Sequence, residues 1–418
     1  MNGTAKGQFD LALLSIRTFF KWLVAAAIIG AVGGLVGCAF HLSVETVTKI
    51  RIAFPWLLWF LPIAGVCIAG IYRLTQMEAK NTNAIIDSIH FGDKVPILLV
   101  PVIFVSTVIT HLFGGSAGRE GAALQIGGSL GSNFARLFRF DDKDRRLATL
   151  CGMSAVFAAL FGTPLTATVF ALEVISVGVV YYSGFVPCIV ASLAAYTITG
   201  LFSIAPTSYT IAVQALHAAL VWRVALLAVA CALVSILFCE VMHRSENTAA
   251  RFLPNPYIRA FVGGLVILVL TWLLETPDYN GAGMDVLRRA LEDGSANWDA
   301  AFWKLIFTAV TLACGFKGGE VVPTFFIGAT FGCVFGSLLG IPPSFSAAIG
   351  LVAVFCGNVN CPIASIILSV ELFGSENLIY YALACGVSYM LSGYNGLYKS
   401  QKIMYSKLRA EFIDINAR

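Results

Sequence analysis

Apolar residues come in long unbroken runs along this chain, not in alternation. In the first half they occupy positions 11–42, 53–72, 96–113, 122–138, 147–160, 165–182 and 185–202. In the second half they occupy 216–241, 257–274, 298–314, 324–339, 344–356, 363–373 and 378–392. Such runs predict helices, because a bilayer offers the backbone no water to bond and excludes open strand edges. Polar breaks separate them. One of these, 76–83, opens a segment at 84–90 too short to span, with Asn and Thr before it as N-caps. The charged loop 138–146 is expected on the cytoplasmic side. Residues 276–298 form the longest non-membrane stretch, with a short helix at 284–292. The tail from Tyr394 to Arg418 is mixed in charge and amphipathic. It is expected to carry a short C-terminal helix and to be too short for a soluble regulatory domain.

Composition supports this pattern. The chain has 418 residues, 58% of them hydrophobic and 12% charged, whereas soluble domains carry about 25% charged residues. The fold class is therefore an all-α polytopic membrane protein in contact with lipid; a multi-pass place in the cell membrane, of the bacterial inner-membrane kind, is the expectation for its location. A net charge of +4 is too small to suggest a nucleic-acid partner. No Cys/His spacing suits zinc, so neither a metal nor a cofactor is expected. The eleven cysteines lie mostly within apolar runs and read as small buried residues. Positions 1–10 are polar without an apolar core, so the first run is expected to remain as a transmembrane helix.

Against this background, residues 114–131 stand out. They place Arg119 and Glu120 in a Gly-rich turn between two apolar segments. Charge at membrane depth costs about 2.5–3.5 kcal/mol or more and normally faces a pathway or a partner. Glycines let the backbone turn and approach closely. A helix starting here aims its free N–H groups and its positive dipole end at whatever lies in front. The stretch reads as an anion site with its own carboxylate. The plainer alternative is a buried ion pair between Glu120 and Arg119.

The pattern recurs. Gly118, Glu120, Ile126-Gly127 and Gly131 match Gly318, Glu320, Ile327-Gly328 and Gly332, with one extra residue after the second Glu. Gly162-Thr-Pro164 leads to Glu173, and Asn360-Cys-Pro362 leads to Glu371, nine residues from Pro to Glu in each case. Two repeats, 1–205 and 206–418, each with interrupted apolar segments, point to a transporter with a site at the repeat interface. Glu173 and Glu371 read as interhelical hydrogen-bond partners.

Gly118-Arg-Glu-Gly121 followed by Gln125-Ile-Gly-Gly128 resembles the central motif of the CLC family of anion channels and anion/proton antiporters. Gly318-Gly-Glu-Val-Val-Pro323 resembles its second-half loop, and Gly162-Thr-Pro-Leu165 its Asn-Ala-Pro-Leu segment. Tyr398 stands where that family has an anion-coordinating Tyr. The resemblance implies a CLC-type fold of two inverted-topology repeats with tilted, partly discontinuous helices, and a homodimer. Glu120 would then be the gating glutamate. Backbone N–H groups of Gly121, Ala122, Val321 and Val322 would hold the anion, with the Tyr398 hydroxyl and a polar side chain from the first short helix. Arg119, Gly118 and Pro323 would be structural neighbours of the site.

The departures from that pattern carry further meaning. Lys80-Asn-Thr-Asn-Ala84 replaces a Gly-Ser-Gly-Ile-Pro segment, so an amide stands in for the serine, Asn83 first, with Thr82 and Asn81 as rivals. Counting from Pro164 puts Glu173 at the first position of a Glu-Glu pair and Val174 at the second, so the internal proton glutamate of chloride antiporters is absent. Glu320 occupies a position that is apolar in chloride-type members, and Ala122 replaces a proline. This combination resembles the fluoride/proton antiporter branch, and makes Glu320 a second proton-coupling carboxylate. Fluoride, a small and strong acceptor, suits dense amide, backbone N–H and hydroxyl donors. A chloride/proton antiporter or passive anion channel is the alternative. An intramembrane enzyme is disfavoured, since the sequence has no HExxH, GxSxG or paired intramembrane Asp motif.

Overall fold

The structure, a computed structural model, describes the backbone of residues 2–418 and the side chains from Asp10 onward. The reading of positions 1–10 thus lies largely outside the described side chains. Eight helices form the first half: α1 (Asn2–Ala53), α2 (Leu61–Leu74), α3 (Thr82–Phe91), α4 (Leu99–Leu112), α5 (Glu120–Leu137), α6 (Asp142–Phe161), α7 (Pro164–Glu173) and α8 (Phe185–Leu201). Eight more follow: α9 (Ala218–Phe252), α10 (Pro256–Leu273), α11 (Met284–Arg288), α12 (Ala300–Ala313), α13 (Val321–Leu338), α14 (Pro343–Val359), α15 (Pro362–Phe373) and α16 (Leu378–Leu391). Among the described residues six helical stretches are long and apolar enough to cross a membrane. Proline sets several boundaries. Pro55 forces Phe54 out of helical backbone (φ −126°, ψ 75°), as expected for a residue preceding proline. The run 53–72 therefore splits into a short tight turn, Pro55–Phe60, and α2.

Two expectations fail. The run 165–182 does not continue as helix: α7 stops at Glu173, and Ser176–Val177 becomes a strand, β1. The tail holds no helix but two strands, β2 (Lys402–Tyr405) and β3 (Phe412–Asn416). β2 pairs parallel with β1 and antiparallel with β3, so the chain carries one small sheet beside its helices. The reason is visible in the alternation Phe412-Ile-Asp-Ile-Asn416, which has the period of a strand. Its partner strand buries Ile403 completely.

Helix packing in the two halves follows one plan. A Cβ at Gly127 would fall on the carbonyl of Gly152, and one at Gly131 on the carbonyl of Ala148. Likewise Gly328 packs on the Gly350 carbonyl and Gly332 on that of Ser346. The backbones of α5 and α6, and of α13 and α14, thus touch directly, the packing mode that small residues allow within membranes. α6 and α14 are buried over most of their length. The outer helices present Trp59, Leu193, Leu233 and Trp272 to the surroundings, an apolar surface suited to lipid.

Candidate functional site

The two Gly-rich loops meet head to head. The Gly118 N–H donates to the Gly319 carbonyl at 2.7 Å, and the Gly319 N–H donates to the Gly118 carbonyl at 2.8 Å. No side chain fits here: a Cβ at Gly319 would strike the Gly121 nitrogen, and one at Gly118 the Glu120 carboxylate. Each loop feeds a helix. Glu120 is the first residue of α5, and Glu320 stands at the N-cap position of α13 without a capping bond from its side chain. Both helices begin two or three residues earlier than the apolar runs suggest, so Gly121, Ala122, Val321 and Val322 all lie in first turns. Two helix N-termini, one per half, converge with unpaired N–H groups and positive dipole ends. Pro323 sits in the first turn of α13, where its missing N–H costs nothing.

A cavity of about 280 Å³ opens beside this junction. Its walls include Thr82, Asn83, Gln125, Lys317, Glu320 and Tyr398. The Tyr398 hydroxyl, one Glu320 carboxylate oxygen and the Gln125 amide oxygen are buried without a protein partner. Asn81 caps α3 by accepting the Ala84 N–H at 3.1 Å, which commits its side chain to that turn. Thr82 receives a bond from Gln125 Nε2 at 3.2 Å and donates to the Gly121 carbonyl at 3.4 Å. Asn83 Oδ1 accepts the Ser400 N–H at 3.1 Å. That bond uses the amide oxygen and leaves the NH₂ as the group available to an anion.

Glu120 sits elsewhere. It is fully buried and does not line the cavity. Its Oε2 accepts the Arg119 N–H at 2.9 Å, and Oε1 lies 3.7 Å from Arg119 Nε. Arg119 also donates through Nη2 to the Leu160 carbonyl at 3.3 Å, near the end of α6. The guanidinium is thus bound into the scaffold and close to the carboxylate. His111, read from sequence as packing or interfacial, places Nε2 3.3 Å from the Gly118 carbonyl and steadies the turn.

Three further residues have no role that the sequence pattern predicts. Gln125 is, with Glu120, one of two long polar side chains in the first two turns of α5. Lys317 is a lysine three positions before Glu320 in an otherwise Gly-rich loop. Gln401, fully buried, gave no local signal. Its Nε2 donates to the Val174 and Val359 carbonyls at 3.0 and 2.8 Å, and its Oε1 accepts from Asn360 Nδ2 at 2.9 Å. It joins the two halves one turn after Tyr398, and Leu397 N–H bonds the Asn358 carbonyl at 2.9 Å. Bonds from Leu397 and Gln401 thus tie the backbone on either side of Tyr398 into both halves.

The sequence profile described as "voltage gated chloride channel" matches residues 64–393. The chain belongs to the CLC family. It is 38% identical to a chloride/fluoride channel protein of Pseudomonas syringae pv. tomato over 93% of this chain and 87% of that one. It is 25% identical to an H⁺/Cl⁻ exchange transporter of Vibrio campbellii over 87% of this chain and 84% of the relative. Among solved structures it resembles a CLC-type fluoride/proton antiporter (29% identity, TM-score 0.88, 92% of this chain and 98% of that one). A slow cyanobacterial Cl⁻/H⁺ antiporter shares the fold (19% identity, TM-score 0.75, 89% of this chain and 94% of that one). The architecture is thus the CLC fold, and the protein is a multi-pass membrane protein of a transport family. Against that frame, position 174 is apolar and offers only its backbone carbonyl, to Gln401.

Proposed function

We propose that this CLC protein is a fluoride/proton antiporter that exports fluoride against inward proton movement and works as a homodimer. The observation carrying this reading is the pair of carboxylates, Glu120 and Glu320, one on each side of the Gly118–Gly319 bridge, with Glu320 alone facing the cavity. With no carboxylate at position 174, Glu320 takes the proton on the cavity side and Glu120 acts as the gate behind it. Fluoride entering the cavity meets the Asn83 NH₂, the Tyr398 hydroxyl and the N–H groups of Gly121, Ala122, Val321 and Val322. Two ionised carboxylates and an anion repel one another, so an arriving fluoride favours protonation of a carboxylate. That exchange links one ion to the other. The amide and hydroxyl donors suit a small hard anion, in line with the fluoride/proton antiporter that this chain resembles in fold and sequence.

A second reading, chloride/proton exchange or passive anion conduction, draws on the name of the 38% identical relative, a chloride/fluoride channel protein. Reconstitution in liposomes separates the readings. Fluoride and chloride efflux are followed together with internal pH. Fluoride efflux with counter-movement of protons and little chloride supports antiport. Equal chloride flux sinks the fluoride assignment, and fluoride flux without proton movement makes the protein a channel. Crosslinking in the same membranes checks the dimer.

A further inference from the structure

Basic side chains crowd one corner of the molecule, where the early part of α1 meets the turn between α5 and α6. The Lys21 amine lies 4.6 Å from the centre of the Phe140 ring and pairs with Asp144. Trp22 packs edge-on to Phe140 at 5.8 Å, and Phe134 and Phe138 complete the aromatic cluster. Arg17 stands one turn before Lys21 on the same side of α1. Arg136 lies in the last turn of α5, Arg139 in the connecting turn and Lys143 in the first turn of α6. All four are exposed. The acids of this corner are committed elsewhere. Asp141 caps α6 by accepting the Asp144 N–H at 2.7 Å, Asp142 pairs with Arg145 at 2.9 Å, and Asp144 pairs with Lys21. Among the described residues, Arg17, Arg136, Arg139 and Lys143 enter no ion pair.

Arg139 also occupies a place that suits glycine. α5 closes with the Phe140 N–H donating to the Ala135 carbonyl at 2.8 Å and the Arg139 N–H to the Arg136 carbonyl at 3.1 Å. In this helix ending the residue at position 139 takes left-handed backbone, and its φ is +55°. Glycine is usual there, because a Cβ disfavours that conformation. A general excess of cations on the cytoplasmic side accounts for charge in this loop, but not for an arginine at this one position. Between Arg136 and Arg139, Leu137 and Phe138 are exposed. Apolar side chains beside unpaired guanidinium groups fit the boundary between acyl chains and headgroups.

We propose that this corner binds an anionic phospholipid, with the headgroup phosphate between Arg136 and Arg139. Guanidinium forks hold phosphate oxygens bidentately. Arg17 and Lys143 add attraction to an anionic leaflet, and Leu137 and Phe138 meet the acyl chains. The inference goes beyond the transport reading and does not depend on it. It still bears on the site, because α5 runs from the Gly118–Gly319 junction to this corner. A lipid held here braces the far end of the helix whose first turn carries Glu120.

The test titrates phosphatidylglycerol and phosphatidylcholine separately onto the full-length protein in neutral detergent. Native mass spectrometry counts bound lipid, and thermal unfolding reads the stabilisation. Phosphatidylglycerol is expected to half-saturate at a concentration at least roughly tenfold lower than phosphatidylcholine and to raise the melting temperature more. Arg136→Gln and Arg139→Gly should each weaken phosphatidylglycerol binding roughly fivefold, the scale of one basic side chain at an anionic surface, and leave phosphatidylcholine binding unchanged. Arg139→Gly relieves the left-handed backbone, so its melting temperature without added lipid should be kept, which separates lost binding from lost folding. Lys49→Gln, toward the other end of α1, should bind both lipids as the wild type does. Equal binding of the two lipids by the wild type overturns the proposal, as does a phosphatidylglycerol affinity within twofold of wild type in both arginine variants. Inorganic phosphate at matched concentration is the last arm. No stabilisation by it supports a lipid site, and a rise equal to that from phosphatidylglycerol would make this a site for free anions instead.

Discussion

Glu173 and Glu371 exchange helix caps across the middle of the molecule. Glu173, the last residue of α7, accepts the Ile363 and Ala364 N–H groups at 3.2 and 2.8 Å, at the start of α15. Glu371, near the end of α15, accepts the Leu165 and Thr166 N–H groups at 2.9 and 2.8 Å, at the start of α7. Each helix opens with a proline and lacks a cap from its own preceding residue, so the orphan N–H groups are satisfied from the other half. Glu173→Ala and Glu371→Ala should each lose about 1–3 kcal/mol of stability by stranding two donors. Thermal unfolding of the purified protein measures this. Unchanged melting in both variants would show that the caps do not contribute.

Glu320→Gln keeps the size and hydrogen-bonding capacity of the side chain but cannot exchange a proton. Proton movement coupled to fluoride should fall at least roughly tenfold, the lower end for losing a positioned acid–base group. Parallel fluoride and pH recordings from one vesicle preparation give the ratio. A wild-type proton-to-fluoride ratio in this variant would remove Glu320 from the proton route.

Asn83→Ser shortens the side chain and removes the NH₂ donor that the Ser400 N–H leaves facing the cavity. Selectivity for fluoride over chloride should drop by roughly tenfold, the equivalent of one hydrogen-bond donor to a charged group. Flux ratios under matched gradients decide it. No change in the ratio would place ion selection elsewhere, with Gln125 and Tyr398 next in line.

Gly152→Ala and Gly350→Ala probe the direct backbone contacts. A Cβ at either position would collide with a carbonyl, that of Gly127 or of Gly328, which cannot rotate aside. Each is expected to cost about 1–3 kcal/mol or more, as overpacking does, seen as a lower yield of monodisperse protein and a lower melting temperature. Two fully stable alanine variants would mean that these helix pairs separate readily.

The tail hairpin should respond to alkali. Lys407 donates to Asn360 Oδ1 at 2.5 Å and Ser392 Oγ at 3.0 Å, and burial lowers its amine from 10.5 to about 8. Between those values the undocked tail binds more protons than the docked one. Docking therefore strengthens as pH rises through this window, by at most about 1.4 kcal/mol per unit. Hydrogen exchange across residues 402–416, corrected for intrinsic rates, should slow from pH 8 to 10, and Lys407→Met should abolish the trend. Faster corrected exchange at pH 10 in the wild type would contradict it.

Much of this arrangement is legible in the chain, and the misses are instructive. The apolar runs locate the long helices because burial in lipid needs a contiguous apolar length. The helix starts at Glu120 and Val321 are earlier than the runs imply, since a first turn tolerates polar and glycine residues and carries no hydrophobic period. The strand Ser176–Val177 is hidden inside an apolar run, because a short buried strand and a buried helix read alike. The tail hides its strand for the opposite reason: mixed charge masks the alternation of Phe412–Asn416. Glu173 and Glu371 were readable as hydrogen-bond partners. That each caps the other's helix depends on two helices meeting from separate halves.

By itself, the sequence determined that the chain is a helical membrane protein of two related halves and that Glu120 and Glu320 correspond. Local composition and spacing suffice for that, since hydrophobic length and repeated motifs are properties of the chain alone. Only the tertiary structure decided that Gly118 and Gly319 bond to each other, that Glu320 lines the cavity while Glu120 is buried away from its walls, and that Lys317 and Arg259 share that wall. Those relations join residues as many as about two hundred positions apart. They are fixed by the close backbone packing of whole helices, which no local pattern encodes.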